Sequence, residues 1–171
     1  MKLFFRRRKR AFCLFLINRF CGTSFFKLKR LLLKWAGCKV GKGTKIVGPI
    51  YLGNVAEIKI GNNVWLGTRF SVYGNGQVEI GDNIDIAPEV ILLTGSHKIS
   101  NQTNRRAGEG VSYKIKIESG CWIGARSTLM GNITVKSGSV IGACSLVKND
   151  VKENSLYFGS PARHVRSLSI E

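Results

Sequence analysis

The chain has 171 residues and a formal net charge of +17, and 44% of it is hydrophobic. Residues 1–45 hold fourteen Lys or Arg and no acid, whereas residues 46–171 hold thirteen bases and ten acids; a uniformly basic domain is therefore excluded. Five cysteines with no CxxC pair and no regular spacing read as reduced thiols of a cytosolic protein, not as a disulfide framework.

The first predicted element is a basic arm over residues 1–23. Its bases followed by apolar residues have the look of a signal peptide, but Asn18 and Arg19 interrupt the apolar run and no small-residue cleavage site follows. The stretch from Ala11 to Ile17 is far too short to span a bilayer. Two readings stay open. In one, the arm lies in the interface of an anionic membrane, with Phe4, Phe5, Phe12, Phe15 and Phe20 inserted and Arg6, Arg7, Arg8, Lys9 and Arg10 on the headgroups. In the other it is a solvated basic tail. No recognised nucleic-acid-binding fold accompanies the charge, so no nucleic-acid partner is expected.

A basic amphipathic helix is predicted over residues 24–37, capped by Ser24 and ended by Gly37. Phe25, Leu28, Leu31, Leu32 and Trp35 share one face, and Lys27, Arg30 and Lys34 share another. The apolar face suits either the open end of the element that follows or a membrane.

Residues 38–152 carry the main signal. Val, Ile or Leu recurs every sixth residue at 40, 46, 52 and 58, at 60, 66, 72 and 78, at 80, 86 and 92, and again at 117, 123, 129, 135, 141 and 147. Only two slips of two residues, after 58 and 78, and one long break are needed. A period of six is neither the 3.6 of a helix nor the 2 of a strand. It is the beat of a parallel β-helix, in which three hexads make a triangular coil and stacked coils bury the aliphatic column. Spacings from 40 to 60 to 80 give coils of twenty residues, and from 117 to 135 one of eighteen. The fifth position of a hexad also points inward, which accounts for Thr44, Ala56, Val64, Cys121, Ser127, Ser139 and Ser145. Glycines such as Gly61 and Gly81, directly after the aliphatic, suit a corner that needs positive φ or close backbone approach.

The beat stops over residues 95–116, GSHKISNQTNRRAGEGVSYKIK, and a long loop in a repeating fold points to function. It carries His97, a candidate general base near neutral pH. Stacking by twenty residues sets Gln77 below His97 and Asn75 below Gly95, so both amides are candidates to orient the ring or contact a substrate; Arg105 and Arg106 of the same loop are further substrate-binding candidates. Trp122, at an outward position, suits a ligand surface or a second subunit. Residues 153–171 leave the repeat as a tail, and Lys148, Arg163 and Arg166 set three cations near the last coil, where phosphates would be held.

With these columns, the TGSH loop, CWIGARSTLMGNITV, VIGACSLV and FGSPARHVR in view, the chain resembles the hexapeptide-repeat acyltransferases, most of all the bacterial sugar and polysaccharide O-acetyltransferases. The resemblance covers about residues 28–168. It implies an all-β, left-handed parallel β-helix, a homotrimer, and acetyl-coenzyme A bound between subunits. His97 matches the catalytic histidine, and Trp122, with Ile123 and Gly124, matches the motif lining the active-site groove. Ala125, Gly142 and Ala143 match the small residues beside the pantetheine arm, and Arg163 and Arg166 match the basic pair near the nucleotide. Lys148-Asn149 stands where the family has Thr-Lys, and Gly67 stands near the place of the asparagine that binds the acceptor in galactoside-type members. The implied activity is O-acetylation of a sugar hydroxyl on a polysaccharide, lipid-linked oligosaccharide or related glycan, in the cytoplasm or on the inner face of the bacterial membrane. The alternatives are N-acetylation of an amino sugar and a non-catalytic membrane-surface scaffold. No metal is expected, because the zinc-dependent relatives with this fold need three histidines and the chain has two.

Overall fold

The computed structural model describes residues 2–53 and 56–169, with the side chains of residues 2–4, and so Phe4, outside the described set. Helices α1 (Lys2–Arg19) and α2 (Phe26–Trp35) precede a parallel β-solenoid. Its first coil is β1 (Lys39–Val40), β2 (Lys45–Ile46) and β3 (Tyr51–Leu52), and its second is β4 (Glu57–Ile60), β5 (Trp65–Leu66) and β6 (Ser71–Tyr73). The third coil is β7 (Gln77–Ile80), β8 (Asp85–Ile86) and β9 (Ile91–Leu93), after which a hairpin of β10 (Gly95–Ile99) and β11 (Ala107–Ser112) projects. Coiling resumes with β12 (Lys114–Ile117), β13 (Trp122–Ile123) and β14 (Thr128–Met130), then β15 (Ile133–Val135), β16 (Val140–Ile141) and β17 (Leu146–Val147). An antiparallel pair, β18 (Ser155–Gly159) and β19 (Ala162–Ser167), ends the chain.

Three sheets follow from the winding. The first face stacks β1-β4-β7-β12-β15, the second β2-β5-β8-β13-β16-β18-β19 and the third β3-β6-β9-β14-β17. All seventeen hexad aliphatics are buried, in one continuous core. The registers Val40 to Ile60 to Ile80 and Ile117 to Val135 reproduce the coil lengths read from the sequence. Each buried aliphatic contributes about 1.5–3 kcal/mol of transfer free energy, so the column is the main driving force for winding. Gly61 and Gly81 have ordinary φ, and they are small because the next coil's backbone passes where a Cβ would sit. Positive φ falls instead on other corner residues. Asn63 and Asn83 (φ 53° and 55°) stack on one another, as do Arg69, Glu89 and Arg126 (φ 59°, 63° and 61°).

Four expectations change. The arm is not a solvated tail. It is helix α1, which seals the first coil with Cys13 and Ile17 and buries Arg10 completely. Arg10 donates to the carbonyls of Ala36 (3.2 Å), Gly53 (2.6 Å) and Ala56 (2.9 Å), so it is unavailable to headgroups. Second, Ser24 does not cap α2; Phe25, at φ 55°, turns the chain into the helix with no side-chain cap. Third, α2 lays Leu33 on the core with Leu32 against it, buries Lys29, and turns Leu28, Leu31 and Trp35 outward. Fourth, residues 95–116 are not a loop throughout: Gly95 pairs with Ser112 and His97 with Gly110, and coiling resumes at Lys114.

Candidate active site

The hairpin leaves the solenoid at the corner after β9, and Thr94 makes that corner rigid. Its buried hydroxyl donates to the carbonyl of Tyr73 (2.9 Å) and accepts from the N–H of Gly76 (3.1 Å). Three residues on, His97 projects from β10. Its Nδ1 lies 2.8 Å from the carbonyl oxygen of Gly108 on β11. A carbonyl only accepts, so Nδ1 carries a proton, and in the neutral ring Nε2 is the nitrogen with a bare lone pair. The fold thus selects the tautomer that a general base requires.

His97 lines a cavity of about 430 Å³ with Asn75, Gly74, Ser96 and Gly110. Gly74 and Asn75 are shared with a second cavity of about 430 Å³, walled by Tyr51 and Tyr73 of the third face and by Arg7, Leu14 and Asn18 of α1. The imidazole cavity and the one reaching the first helix thus adjoin at Gly74 and Asn75. The tyrosine walls were not singled out in the sequence, and Arg7 only as a headgroup contact, although Tyr51 and Tyr73 flank hexad aliphatics and so face outward by the repeat alone.

Asn75 is therefore beside His97, but Gln77 is not. Gln77 opens β7, where it pairs with Glu57 below and Lys114 above on the first face. The coil that carries the hairpin runs 37 residues from Ile80 to its partner Ile117, where the coils below run twenty, and the excess removes His97 from the twenty-residue stack. Arg105 and Arg106 lie at the hairpin's far end, outside this cavity; Arg106 donates to the carbonyl of Ser100 at 3.3 Å. Lys98 and Glu109 brace the two strands at 2.6 Å.

A second cluster lies on another face. Trp122, Val140, Leu156 and Arg166 are partners in register across β13, β16, β18 and β19. Three strand spacings put Arg166 roughly 14 Å from Trp122. Arg163 is paired with Phe158, whose ring covers Gly142. Trp122, Arg163 and Arg166 are exposed, and no ion pair engages either arginine among the described residues. An indole on the same sheet as two open cations suits an extended ligand with an uncharged arm and phosphates. Gly124 and Gly142 have packing reasons of their own: a Cβ on Gly124 would come 2.6 Å from the Ala143 nitrogen. Ala125 and Ala143 add only methyls at that corner. Lys148 follows β17, at the corner from which the hairpin springs two coils earlier, and so stands apart from Arg163 and Arg166. His164 packs edge-on against Tyr157 (5.4 Å) and is remote from the His97 cavity.

The bacterial transferase hexapeptide family model (six repeats) matches residues 114–149. Over 138 residues the chain is 32% identical to the galactoside O-acetyltransferase of Escherichia coli K12, covering 81% of this chain and 68% of that one. The chain belongs to the hexapeptide-repeat acetyltransferase family. It is also 26% identical to the putative colanic acid biosynthesis acetyltransferase WcaF of the same organism, over 82% of this chain and 75% of WcaF. Among solved structures it matches the hexapeptide-repeat acetyltransferase VCA0836 of Vibrio cholerae complexed with acetyl-coenzyme A, with a TM-score of 0.83 and 27% identity over 96% of this chain and 88% of the other. In this acetyltransferase, then, His97 and the Trp122–Arg166 cluster lie on different faces of one chain.

Proposed function

We propose that this acetyltransferase moves an acetyl group from acetyl-coenzyme A to a sugar hydroxyl, with His97 as general base. The observation carrying the reading is the Nδ1 hydrogen bond to Gly108, which leaves Nε2 free to take a proton. The acceptor hydroxyl gives its proton to Nε2 while its oxygen attacks the acetyl carbonyl carbon. The carbon–sulfur bond then breaks, and the imidazolium returns the proton to the departing thiolate. The Gly108 carbonyl, which accepts from Nδ1–H throughout, helps to hold the transient positive charge on the ring.

The adjoining cavities lined by Asn75, Tyr51, Tyr73 and Arg7 support an acceptor glycan lying along them, the tyrosine rings offering faces to sugars. Trp122, Arg163 and Arg166 supply what coenzyme A needs, an apolar surface and phosphate partners. Because these residues sit on a different face from His97, the reading includes a homotrimer in which each site combines His97 of one subunit with the cluster of the next. A glycan acceptor on a lipid carrier would place the reaction at the inner face of the bacterial cytoplasmic membrane. The test is thiol release from acetyl-coenzyme A with a panel of oligosaccharides and amino sugars. Acceptor-dependent release with O-acetylated product is expected; release only with amino sugars would assign N-acetylation.

A further inference from the structure

We propose that the outward faces of α1 and α2 together form a docking surface for an anionic phospholipid membrane. Phe12 and Phe15 of α1 are 53% and 65% exposed, and Leu31 and Trp35 of α2 are 63% and 52% exposed. The two stripes are continuous, since Phe12 meets Trp35 edge-on with ring centroids 6.4 Å apart. Side chains of this size left uncovered on two adjacent helices mark an interaction surface, because a helix normally turns its apolar stripe inward. Here each helix has a second stripe that already covers the first coil, with Cys13 and Ile17 on α1 and Leu33 on α2.

Charge selects the occupant. Exposed Lys9, Arg19, Lys27 and Lys34 border the stripe, and Lys9 stands with its Nζ 5.8 Å from the Trp35 ring centroid. No acid occurs before residue 46 to offset them. A second copy seated face to face would meet the same unbroken positive charge, whereas an anionic bilayer offers an apolar layer under negative headgroups. No described helix is long and apolar enough to cross a membrane, so the surface lies on the bilayer. The sequence alone suggests an arm of five phenylalanines and five bases. The structure withdraws Arg10, which is buried, and adds the outward face of α2.

The full-length protein is sedimented with phosphatidylglycerol–phosphatidylcholine vesicles and with pure phosphatidylcholine vesicles. Binding to the anionic set only is expected. Lys27→Glu with Lys34→Glu should lower partitioning by at least about tenfold, since each surface cation is worth about fivefold. Phe12→Ser with Leu31→Ser and Trp35→Ser should abolish it while the circular dichroism spectrum stays unchanged. Brominated acyl chains should quench tryptophan fluorescence in the parent and not in Trp35→Phe, a readout that holds even if the triple variant fails to fold. Equal binding to both vesicle types, or equal quenching in parent and Trp35→Phe, overturns the proposal. So does self-association of the parent that the triple variant abolishes without any vesicle binding, which would make the face a contact between copies.

Discussion

An imidazole serves as a base only while one nitrogen stays bare, and in His97 the partner of the other nitrogen is a backbone carbonyl that no side-chain titration can remove. His97→Ala should therefore lose at least about two orders of magnitude in acceptor-dependent thiol release, the scale of general-base catalysis, with its circular dichroism spectrum and oligomeric state unchanged. Near-normal turnover would take the residue out of the mechanism. The position of His97 was legible because it falls where the six-residue beat stops. Its bond to Gly108 was not, since it depends on the cross-strand geometry of a hairpin that the sequence presents as a polar loop. The misplacement of Gln77 has the same root: a stacking rule applied across an insertion assigns the residue to the wrong neighbours.

Ladders of ion-paired side chains run across the short strands of neighbouring coils. On the first face Glu79 accepts from Lys114 of the coil above (2.8 Å) and Lys59 of the coil below (2.9 Å), and these two lysines hold its carboxyl down at about 2. The folded value lies below that of the unfolded chain, near 4.3. The stabilisation is thus present above that pH and is lost as the pH falls through 2. Glu79→Gln should destabilise the fold by about 0.5–1 kcal/mol at pH 7, with the gap in melting temperature narrowing as the pH is lowered from about 4.3 towards about 2, the window set by the two values. A gap independent of pH would assign the effect to packing. The solenoid's columns were open to inspection because one period governs seventeen positions. The helices were not, since each has two apolar stripes and only the neighbouring coil decides which is buried.

At the level of the whole molecule, the separation of His97 from the Trp122–Arg166 cluster makes a subunit-mixing experiment decisive. His97→Ala and Arg163→Ala with Arg166→Ala should each be nearly inactive alone. Refolded together from denaturant, they should recover activity, because in a mixed ring some sites take the histidine from one variant and the arginines from the other. About a quarter of the sites would be whole under random mixing in a cyclic assembly. No recovery would mean that each chain carries its complete site. End-to-end association at the first coil is opposed by polar side chains of the two helices. Asn18 both accepts from the backbone N–H of Ile50 (2.9 Å) and donates to its carbonyl (3.0 Å), while Arg10 takes the carbonyls of Gly53 and Ala56 and Arg30 that of Thr44 (3.3 Å). At the other extreme β19 runs against the direction of the coils. Amide and guanidinium groups thus occupy rungs of the first coil where a foreign strand would otherwise lodge, which hinders lengthwise growth from that end.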